Sequence, residues 1–458
     1  MDRHTAEPSV EQMPGERARE WAAHHRDVAA TSTYVYDFVW DLAEEAHGPF
    51  CTDIDGNVLL DFTSHVAAAP LGYDNDKIEE KLAAFDLHDP MKIAGQDFYA
   101  ADGWPPEDPD VPGPAQLMDR LTEINEYGLD TVFLSNSGAE AVENAIKICY
   151  DASGGSKYAI TFEGAFHGRT LGTLSLNRSK EVYRRSFPEI DGVHDVPYCR
   201  DSGCTAATCG CGFFPGTDEA ATSTLRSMLD PDRGFVTADD VSYVIIEPVQ
   251  GEGGYKIPSD AFVDELTAVC ERHDLPLIVD EIQSGMGRTG EWWASDHFPF
   301  EPDVITSAKA LRVGATIASE DTFPDERGRI SSTWGAGDLL ASLQGCLTID
   351  TIHEYGLLDN ATERGRQAVD HLADLDLPGV EDVRGLGLML AIEFDEKKRR
   401  DAVVEAALER GLLTLGCGYR TLRLLPPLDV TEREIRMGVE LLAEAVEDVA
   451  VEAPPADD

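Results

Sequence analysis

Two carboxylates, Asp280 and Glu281, follow an apolar run in the segment LIVDEIQSGMGRTG, residues 277–290. The run at 277–279 is short and rich in β-branched residues, which predicts the end of a buried strand. Burying an ionised carboxylate is costly unless a cation or hydrogen-bond donors meet it. The strand therefore either ends at the surface or places Asp280 opposite a positively charged group.

A lysine occupies a similar place in VITSAKAL, residues 304–311, where Lys309 ends another apolar run. A lysine amine taken out of water at such a place is a good nucleophile for imine formation. Most lysines are solvated surface groups, so the pattern has two interpretations when taken alone.

Two further segments carry groups that bind ligands. In SNSGAEAVENAIKIC, residues 135–149, small residues open a helix directly after a strand. The free N–H groups of such a helix bind anions, although Ser and Asn are also ordinary caps. In FEGAFHGRT, residues 162–170, a turn presents Phe166, His167 and Arg169, which suit stacking on a planar ring and binding a carboxylate. Core packing of Phe166 and a surface ion pair of Arg169 are the alternatives.

The four segments belong to a repeated order of strand, turn and helix that begins near residue 99. This order predicts an α/β fold with a mostly parallel sheet flanked by helices, whose ligands bind at the carboxyl ends of the strands. A phosphate cradle, a stacking aromatic, a carboxylate and an amine at successive strand ends together fit pyridoxal 5′-phosphate. Asp280 would then pair with the protonated ring nitrogen of that cofactor.

The sequence resembles the class III aminotransferases of the fold-type I pyridoxal-phosphate enzymes, and most nearly the 4-aminobutyrate aminotransferases. The resemblance runs from about Gly48 to Val449 and rests on six motifs in order: SNSGAEAVENAIKI, GAFHGRT, IIEPVQGEGGY, LIVDEIQSGMGRTG, DVRGLGLMLAIEF and LRLLPPLDVT. It implies an ω-aminotransferase that moves an amino group from an ω-amino acid to 2-oxoglutarate by ping-pong chemistry. The implied fold has a large domain with a seven-stranded, mostly parallel sheet and a smaller α+β C-terminal domain.

The resemblance also implies roles for individual residues. Lys309 binds the cofactor covalently and later moves the proton, Asp280 holds the ring nitrogen, and Gln283 contacts the ring hydroxyl. Phe166 stacks on the ring. Thr333 from a second copy of the chain completes the phosphate site, which implies a homodimer or a higher homo-oligomer. The implied cofactor-binding set is Ser137, Gly138, Ala139, Phe166, His167, Glu247, Asp280, Gln283, Lys309 and Thr333.

Three charged residues are implied in substrate recognition. Arg169 matches the arginine that binds the distal carboxylate, and Arg423 matches the one that binds the α-carboxylate. Glu252 matches the acid that neutralises Arg423 when an ω-amine enters, because an unpaired buried guanidinium is costly. The alternative for Glu252 is a loop carboxylate with no such task.

The sequence departs from the family pattern at two places beside the expected cofactor. Lys309 is followed by Ala-Leu-Arg-Val-Gly instead of paired glycines and a proline, and Trp334 stands where many members have Tyr or Phe. The STWG motif is closer to lysine 6-aminotransferases. The donor is therefore open between 4-aminobutyrate, which we expect first, lysine and ornithine. An amino-acid racemase of the same family and a catalytically silent scaffold are the alternatives, and the presence of both Lys309 and Asp280 favours the enzyme.

The charge of the 458-residue chain is strongly negative, with 86 Asp and Glu against 37 Lys and Arg and a formal net charge of −49. Such a surface repels nucleic-acid phosphates and anionic lipids, which argues against both as partners. The acids are spread along the whole chain, which indicates a halophilic protein. No window resembles a transmembrane helix or a signal peptide, so we expect a cytoplasmic protein.

The sequence predicts four parts: an N-terminal arm over residues 1–30, a segment of the small domain over 31–99, the large cofactor-binding domain over 100–338 and the C-terminal small domain over 339–458. Asp55-Gly56 predicts a hairpin. Thr431 and Glu434 predict a capping box for the last helix.

The cysteines are expected to be reduced or metal-bound in such a compartment. Within one glycine-rich stretch, residues 198–214, stand Cys199, Cys204, Cys209 and Cys211. Four thiolates could close around zinc or an iron–sulfur cluster, and free thiols are the alternative. Because the spacing is not that of a standard zinc knuckle, we assign no metal ligand from the sequence.

Overall fold

The computed structural model describes residues 1–34, 36, 38–85, 95–97, 102–190, 192–216, 222–331 and 333–452. Its strands are β1 (Phe50–Thr52), β2 (Val58–Asp61), β3 (Thr131–Ser135), β4 (Tyr158–Phe162), β5 (Gly192–Val196), β6 (Val241–Ile246), β7 (Leu277–Asp280), β8 (Val304–Ser307), β9 (Gly314–Ala318), β10 (Val380–Leu386), β11 (Met389–Phe394), β12 (Leu412–Leu413), β13 (Leu415–Cys417) and β14 (Thr421–Leu424).

Its helices are α1 (Glu16–Val28), α2 (Ser64–Ala67), α3 (Asp76–Ala83), α4 (Pro114–Glu123), α5 (Gly138–Ala152), α6 (Leu171–Leu176), α7 (Glu181–Arg184), α8 (Thr224–Met228), α9 (Asp260–His273), α10 (Leu339–Glu354), α11 (Leu357–Ala373), α12 (Lys397–Glu409) and α13 (Glu432–Glu452). The short α2 is a left-handed turn, since its four residues have positive φ. None of the helices in the described part of the chain is both long enough and apolar enough to span a bilayer.

The chain divides into two units, residues 81–358 and residues 1–80 with 359–458. These boundaries differ from those placed at 99/100 and 338/339 from the sequence. At the second boundary the reason is α10, which packs on α4 and on the turn at residues 309–311 and so lies with the larger unit.

The larger unit is built on a seven-stranded sheet in the order β3-β9-β8-β7-β6-β4-β5. Only β9 runs against its neighbours β3 and β8, and the remaining pairs are parallel. Every residue of β6, β7, β8 and β9 is buried, because helices cover the sheet. The expected fold class is confirmed.

The smaller unit contains two sheets, β1-β2-β12 and the antiparallel β10-β11-β14-β13. The predicted hairpin is confirmed, with β1 and β2 antiparallel and Gly56 at φ +89°. The predicted capping box is confirmed as well, since Thr431 N–H donates to Glu434 Oε2 at 2.7 Å and Glu434 N–H donates to Thr431 Oγ1 at 3.3 Å. The first residues are tied to this unit, because Arg3 pairs with Asp429 and Glu434, each at 2.7 Å.

Candidate active site

The carboxyl ends of six strands meet at one edge of the large sheet. Parallel strands end on the same side, so the segments after β3, β4, β5, β6, β7 and β8 lie along that edge. Asp280 is the last residue of β7 and pairs in register with Thr306 of β8, three positions before Lys309. The predicted carboxylate and amine therefore stand at adjoining strand ends.

Asp280 is buried and bound by a histidine. Its Oδ2 lies 2.7 Å from Nδ1 of His167, and its Oδ1 accepts from the N–H of Ile282 at 3.1 Å. Both side chains are almost fully enclosed, with 3% of Asp280 and 0% of His167 exposed. The strand does not end at the surface, so the carboxylate is desolvated where a ligand cation would be stabilised by it.

The backbone of His167 is held by Asn177, which follows α6. The amide Oδ1 of Asn177 accepts from His167 N–H at 2.7 Å, and its Nδ2 donates to the carbonyl of Gly168 at 2.8 Å. Asn177 is completely buried. These bonds orient the turn that carries the histidine.

Glu281 serves a different purpose from its neighbour. Its Oε1 accepts from the N–H and hydroxyl of Ser295 at 2.7 and 2.9 Å, and its Oε2 accepts from the hydroxyl of Ser284 at 2.5 Å. Burial raises the pKa of Glu281 to about 7, against the opposing effect of these donors. Adjacent residues of an extended chain point in opposite directions, which is why only Asp280 reaches the site.

Glu247, at the end of β6, joins two loops of the site. Its carboxylate accepts from the N–H groups of Phe166 and Gly251, both at 2.9 Å. Burial raises its pKa to about 7, and the nearby Asp280 acts in the same direction. The carboxylate thus fastens the turn of Phe166 to the loop after β6.

The amino end of α5 forms the predicted anion cradle after β3. Ser137 is the N-cap residue, and its hydroxyl accepts from the N–H of Glu140 at 3.2 Å. Gly138 and Ala139 open the helix, and first-turn amides have no partner within a helix. The hydroxyl of Thr333 donates to Glu140 Oε2 at 3.0 Å, so that Thr333 lies beside the same helix end within one chain.

Two glycines keep this helix end close to the sheet. A Cβ on Gly314 of β9 would lie 2.3 Å from the carbonyl oxygen of Ser137, and one on Gly168 would lie 2.8 Å from Cβ of Ala139. Side chains at these positions would displace the backbone of the cradle.

Lys309 begins a single 3-10 turn after β8 and is half-buried. Gln283, three residues after Asp280, accepts from the hydroxyl of Tyr255 at 2.8 Å. The side chain of Gln283 is therefore oriented by a buried tyrosine that the sequence patterns did not single out.

Arg169 and Phe166 meet at a second aromatic ring. The guanidinium carbon of Arg169 lies 4.2 Å from the ring centroid of Tyr183 and 5.7 Å from that of Phe166. Phe166 and Tyr183 contact edge to face at 5.6 Å. Cation–π contacts of this kind hold a guanidinium in place while leaving its N–H groups available.

Glu252 is bound by Lys180. The Lys180 ammonium donates to Glu252 Oε1, which also accepts from the hydroxyl of Tyr183 at 3.1 Å. Although burial opposes it, the bond to Glu252 raises the pKa of Lys180 and keeps the amine protonated. Arg169, Tyr183, Lys180 and Glu252 form one charged and aromatic group, called here the Tyr183 cluster.

Arg423 belongs to the smaller unit. It stands in β14, where its backbone pairs with Ala391 of β11 and Leu415 of β13, and only 6% of it is exposed. Of the expected site residues, the structure places all but Arg423 in the larger unit.

The side chains at this edge fit the expected cofactor. The buried His167 Nε2 has no hydrogen-bond partner among the described residues, and Asp280 has acceptor capacity beyond the two donors it meets. The helix end of α5, with glycines packed against it, suits a phosphate. An amine, a desolvated carboxylate and an anion cradle thus occur together.

The sequence patterns did not single out Lys180, Tyr183, Asn177 or Tyr255. Lys180 and Tyr183 are three residues apart around the short α7, but such a spacing is common on surface helices and is no signal by itself. Their contacts with Glu252 join positions 72 residues apart for Lys180 and 69 residues apart for Tyr183.

Comparison with known proteins shows the family to which the chain is similar. A family model described as Aminotransferase class-III matches residues 35–446. The acetylornithine aminotransferase of Archaeoglobus fulgidus is 32% identical over 404 residues, covering 87% of this chain and 94% of that protein. The acetylornithine aminotransferase of Methanopyrus kandleri is 33% identical over 399 residues, covering 86% and 91%.

Solved structures are similar over nearly the whole chain. The lysine aminotransferase from M. tuberculosis superposes with a TM-score of 0.79 at 26% identity, covering 93% of this chain and 99% of that one. The ornithine aminotransferase from Toxoplasma gondii superposes with a TM-score of 0.77 at 24% identity, covering 96% of each chain. The second likeness concerns the fold alone.

Proposed function

The chain belongs to the class-III aminotransferases, and we propose that it transfers an amino group from the ω-amine of an amino acid to 2-oxoglutarate. A member of this family is a pyridoxal-phosphate-dependent transaminase. The observation that carries the proposal is the desolvated Asp280, held by His167 at the strand end beside Lys309.

The residues that would hold pyridoxal phosphate follow from the site. The N–H groups at the start of α5 would bind its phosphate, Phe166 would stack on its ring, and Asp280 would bind its ring nitrogen. When bound, the cofactor supplies an electron sink for the carbon that loses its proton. His167 keeps the Asp280 carboxylate in place and stabilises its negative charge.

Proton transfer is the task we assign to Lys309. Lys309 stands at a strand end, half-buried between the buried Ala308 and Ala310. Lys309 Nζ would take the proton from the substrate carbon and deliver it to the cofactor carbon.

Substrate selection is assigned to two arginines and one acid. Arg169, held by Tyr183, would bind the distal carboxylate, and Arg423 would bind the α-carboxylate of 2-oxoglutarate. Glu252 would leave Arg423 for Lys180 when an α-carboxylate enters. The pair of Lys180 and Glu252 in the structure supports such a second resting place for the acid.

The donor is proposed as an ω-amino acid of four to six carbons in its main chain. The expectation of 4-aminobutyrate stays a proposal, and the relatives named acetylornithine and lysine aminotransferases add N-acetylornithine to lysine and ornithine.

We test this with single half-reactions in concentrated salt. The enzyme with bound cofactor is mixed with one donor at a time and without an oxo acid, while the visible absorbance of the cofactor is followed. The donors are 4-aminobutyrate, N-acetylornithine, lysine and ornithine, with L-alanine as the control. The proposal expects one ω-amine to bleach the band and 2-oxoglutarate to restore it.

Two outcomes would contradict the proposal. Conversion of an L-amino acid to its D-isomer without bleaching would identify a racemase instead. A protein that binds no cofactor under any condition would be a scaffold. Lys309→Ala serves as the matched negative variant, and borohydride reduction followed by peptide mapping should attach the cofactor to Lys309 in the parent chain only.

We also propose that the active enzyme is a homodimer or a higher homo-oligomer, with Thr333 of one copy completing the phosphate site of another. Thr333 is exposed in the single chain, so a second copy can reach it, and its hydroxyl would exchange the bond to Glu140 for one to the phosphate of that copy. Light scattering in high salt tests the assembly. A monomer with full activity would contradict it.

A further inference from the structure

Four cysteines of the loop after β5 lie together in the structure. The sulfur atoms of Cys199, Cys204 and Cys211 are all within 4.8 Å of one another, and Sγ of Cys209 lies 3.1 Å from Sγ of Cys211. None of the four is in a disulfide. The remaining cysteines, Cys51, Cys149, Cys270, Cys346 and Cys417, are buried and belong to no such group within the described residues.

We propose that Cys199, Cys204, Cys209 and Cys211 bind one zinc ion as a closed tetrahedral site of four thiolates. Zinc binds thiolate sulfur at about 2.3 Å, which places the four sulfur atoms of such a site about 3.8 Å apart. The 4.8 Å limit for three of the sulfur atoms and the 3.1 Å between Cys209 and Cys211 both lie within about 1 Å of this value, so small side-chain rotations close the site. Four soft sulfur ligands in a tetrahedron select zinc over magnesium and calcium.

The loop supplies hydrogen bonds that stabilise thiolates. The N–H of Phe214 donates to Sγ of Cys209 at 3.4 Å, and the N–H of Phe213 points at Cys211. The hydroxyl of Ser259 lies 3.5 Å from Sγ of Cys199. Backbone and hydroxyl donors of this kind offset the negative charge that four thiolates bring to a divalent ion.

The loop also has a structural need for such a site. Its described residues, 197–216 and 222–223, form no helix or strand between β5 and α8, and long stretches of this kind are uncommon in a compact domain. Cys199 and Cys204 pack in the core beside Phe213 and Phe262, whose ring centroids are 4.5 Å apart. A zinc ion would fix this loop onto the core.

The loop begins close to the active site. The hydroxyl of Tyr198, directly before Cys199, donates to the carbonyl of Pro248 at 2.9 Å. Pro248 follows Glu247, which holds the turn of Phe166. The zinc ion would therefore brace a loop that supports the site without touching the reacting atoms.

A site with a single ion explains the geometry better than an iron–sulfur cluster. In a [2Fe–2S] or [4Fe–4S] cluster the four cysteines are divided among two or four iron atoms, so the four sulfur atoms must surround a cage of several atoms. Three sulfur atoms within 4.8 Å of one another, with the fourth 3.1 Å from one of them, fit the ligands of a single ion.

The test uses the full chain with bound cofactor, purified without chelators in high salt. Elemental analysis should find about one zinc per chain. The double variant C204S/C211S should hold less than about a tenth of that amount, because removing two of four ligands opens the site. Cys346→Ala removes a buried cysteine outside the group and should keep its zinc.

A second measurement avoids variants that fail to fold. The parent protein is alkylated before and after chelation, and the modified cysteines are mapped by mass spectrometry. The four loop cysteines should resist alkylation until the chelator is added, and cobalt exchanged into the site should give the visible bands of tetrahedral thiolate coordination. The cofactor absorbance, followed in parallel, reports separately on the active site.

Three results would overturn the proposal. One is a protein with no zinc whose loop thiols react at once. Another is iron with acid-labile sulfide in place of zinc. The third is a disulfide between any two of the four cysteines in the freshly purified protein.

Discussion

At the scale of single residues, the neighbouring acids Asp280 and Glu281 have different surroundings and different roles. Asp280 faces His167 at the sheet edge, whereas Glu281 is enclosed by Ser284 and Ser295. Both are buried, but Asp280 meets a side chain that can carry positive charge and Glu281 meets only neutral donors. Burial therefore acts on Glu281 chiefly through its pKa, which is raised to about 7.

Replacing Glu281 by glutamine should change how stability depends on pH. In the folded protein the Glu281 carboxyl has a pKa of about 7, whereas the ordinary pKa of a glutamate carboxyl, as in the unfolded chain, is 4.5. The folded state thus binds more protons between these values, and stability falls as the pH rises through them. Glutamine does not titrate. As the pH rises from about 4.5 to about 8, the free energy of unfolding of Glu281→Gln should therefore increase by up to roughly 3 kcal/mol relative to that of the parent.

Thermal or denaturant unfolding at several pH values in constant high salt measures this difference. Glu447→Gln changes an exposed carboxylate of α13 and is the matched control. A stability difference between Glu281→Gln and the parent that stays constant with pH would show that Glu281 is ionised throughout.

Replacing Lys180 should affect the rates of the two half-reactions differently. In the proposed function the Glu252 carboxylate alternates between Lys180 and Arg423. Lys180→Met removes one of these two partners, so the carboxylate should stay with Arg423. The half-reaction with 2-oxoglutarate, which needs Arg423, should slow about tenfold, and the half-reaction with the ω-amine should change little. Stopped-flow absorbance of the cofactor measures both rates.

Two further variants make this result specific. Lys180→Arg keeps the positive charge and should restore most of the oxo-acid rate. Lys157→Met removes a largely exposed lysine, paired with Asp240, and should alter neither rate. Equal slowing of both half-reactions by Lys180→Met would assign Lys180 a purely structural role.

Strand ends and one helix end build the site at the scale of elements. The order of strand, turn and helix was readable from the sequence, because each strand is a short apolar run followed directly by polar residues. The pairing of Glu252 with Lys180 was not readable, since it depends on how the loop after β6 lies against α7. The packing of α10 on α4 was not readable for the same reason, because it joins residues far apart in the sequence.

Gly314 in β9 should be essential for the anion cradle. In Gly314→Ala the new Cβ would lie 2.3 Å from the carbonyl oxygen of Ser137, so the start of α5 must shift. Overpacking of this kind costs about 1–3 kcal/mol. We expect a lower melting temperature and cofactor affinity reduced about tenfold, which corresponds to about 1.4 kcal/mol.

Fluorescence or absorbance titration of the cofactor-free protein measures that affinity. Gly203→Ala is the control, since its Cβ would meet only Asp201 at 3.4 Å, an ordinary contact. Unchanged affinity in Gly314→Ala would mean that the helix end does not hold the phosphate.

The net charge of −49 governs the behaviour of the whole molecule. The described acids include exposed residues on α13 such as Glu440 and Glu447. Repulsion among so many carboxylates destabilises the compact state in dilute salt. At 1 M salt the screening length is about 3 Å, so the repulsion is then confined to nearest neighbours.

Stability should therefore rise steeply with salt. Melting temperatures measured from about 0.1 M to about 3 M potassium chloride should increase throughout the range in which the screening length still shortens. Sucrose, which stabilises by exclusion from the surface without screening charge, should not replace the salt at low ionic strength. In the double variant E440K/E447K the magnitude of the negative net charge falls by four units, from −49 to −45, because each change replaces a negative by a positive charge. This variant should need less salt than the parent for the same melting temperature. If the parent has the same melting temperature at both ends of the salt range, repulsion among its acids does not limit its stability.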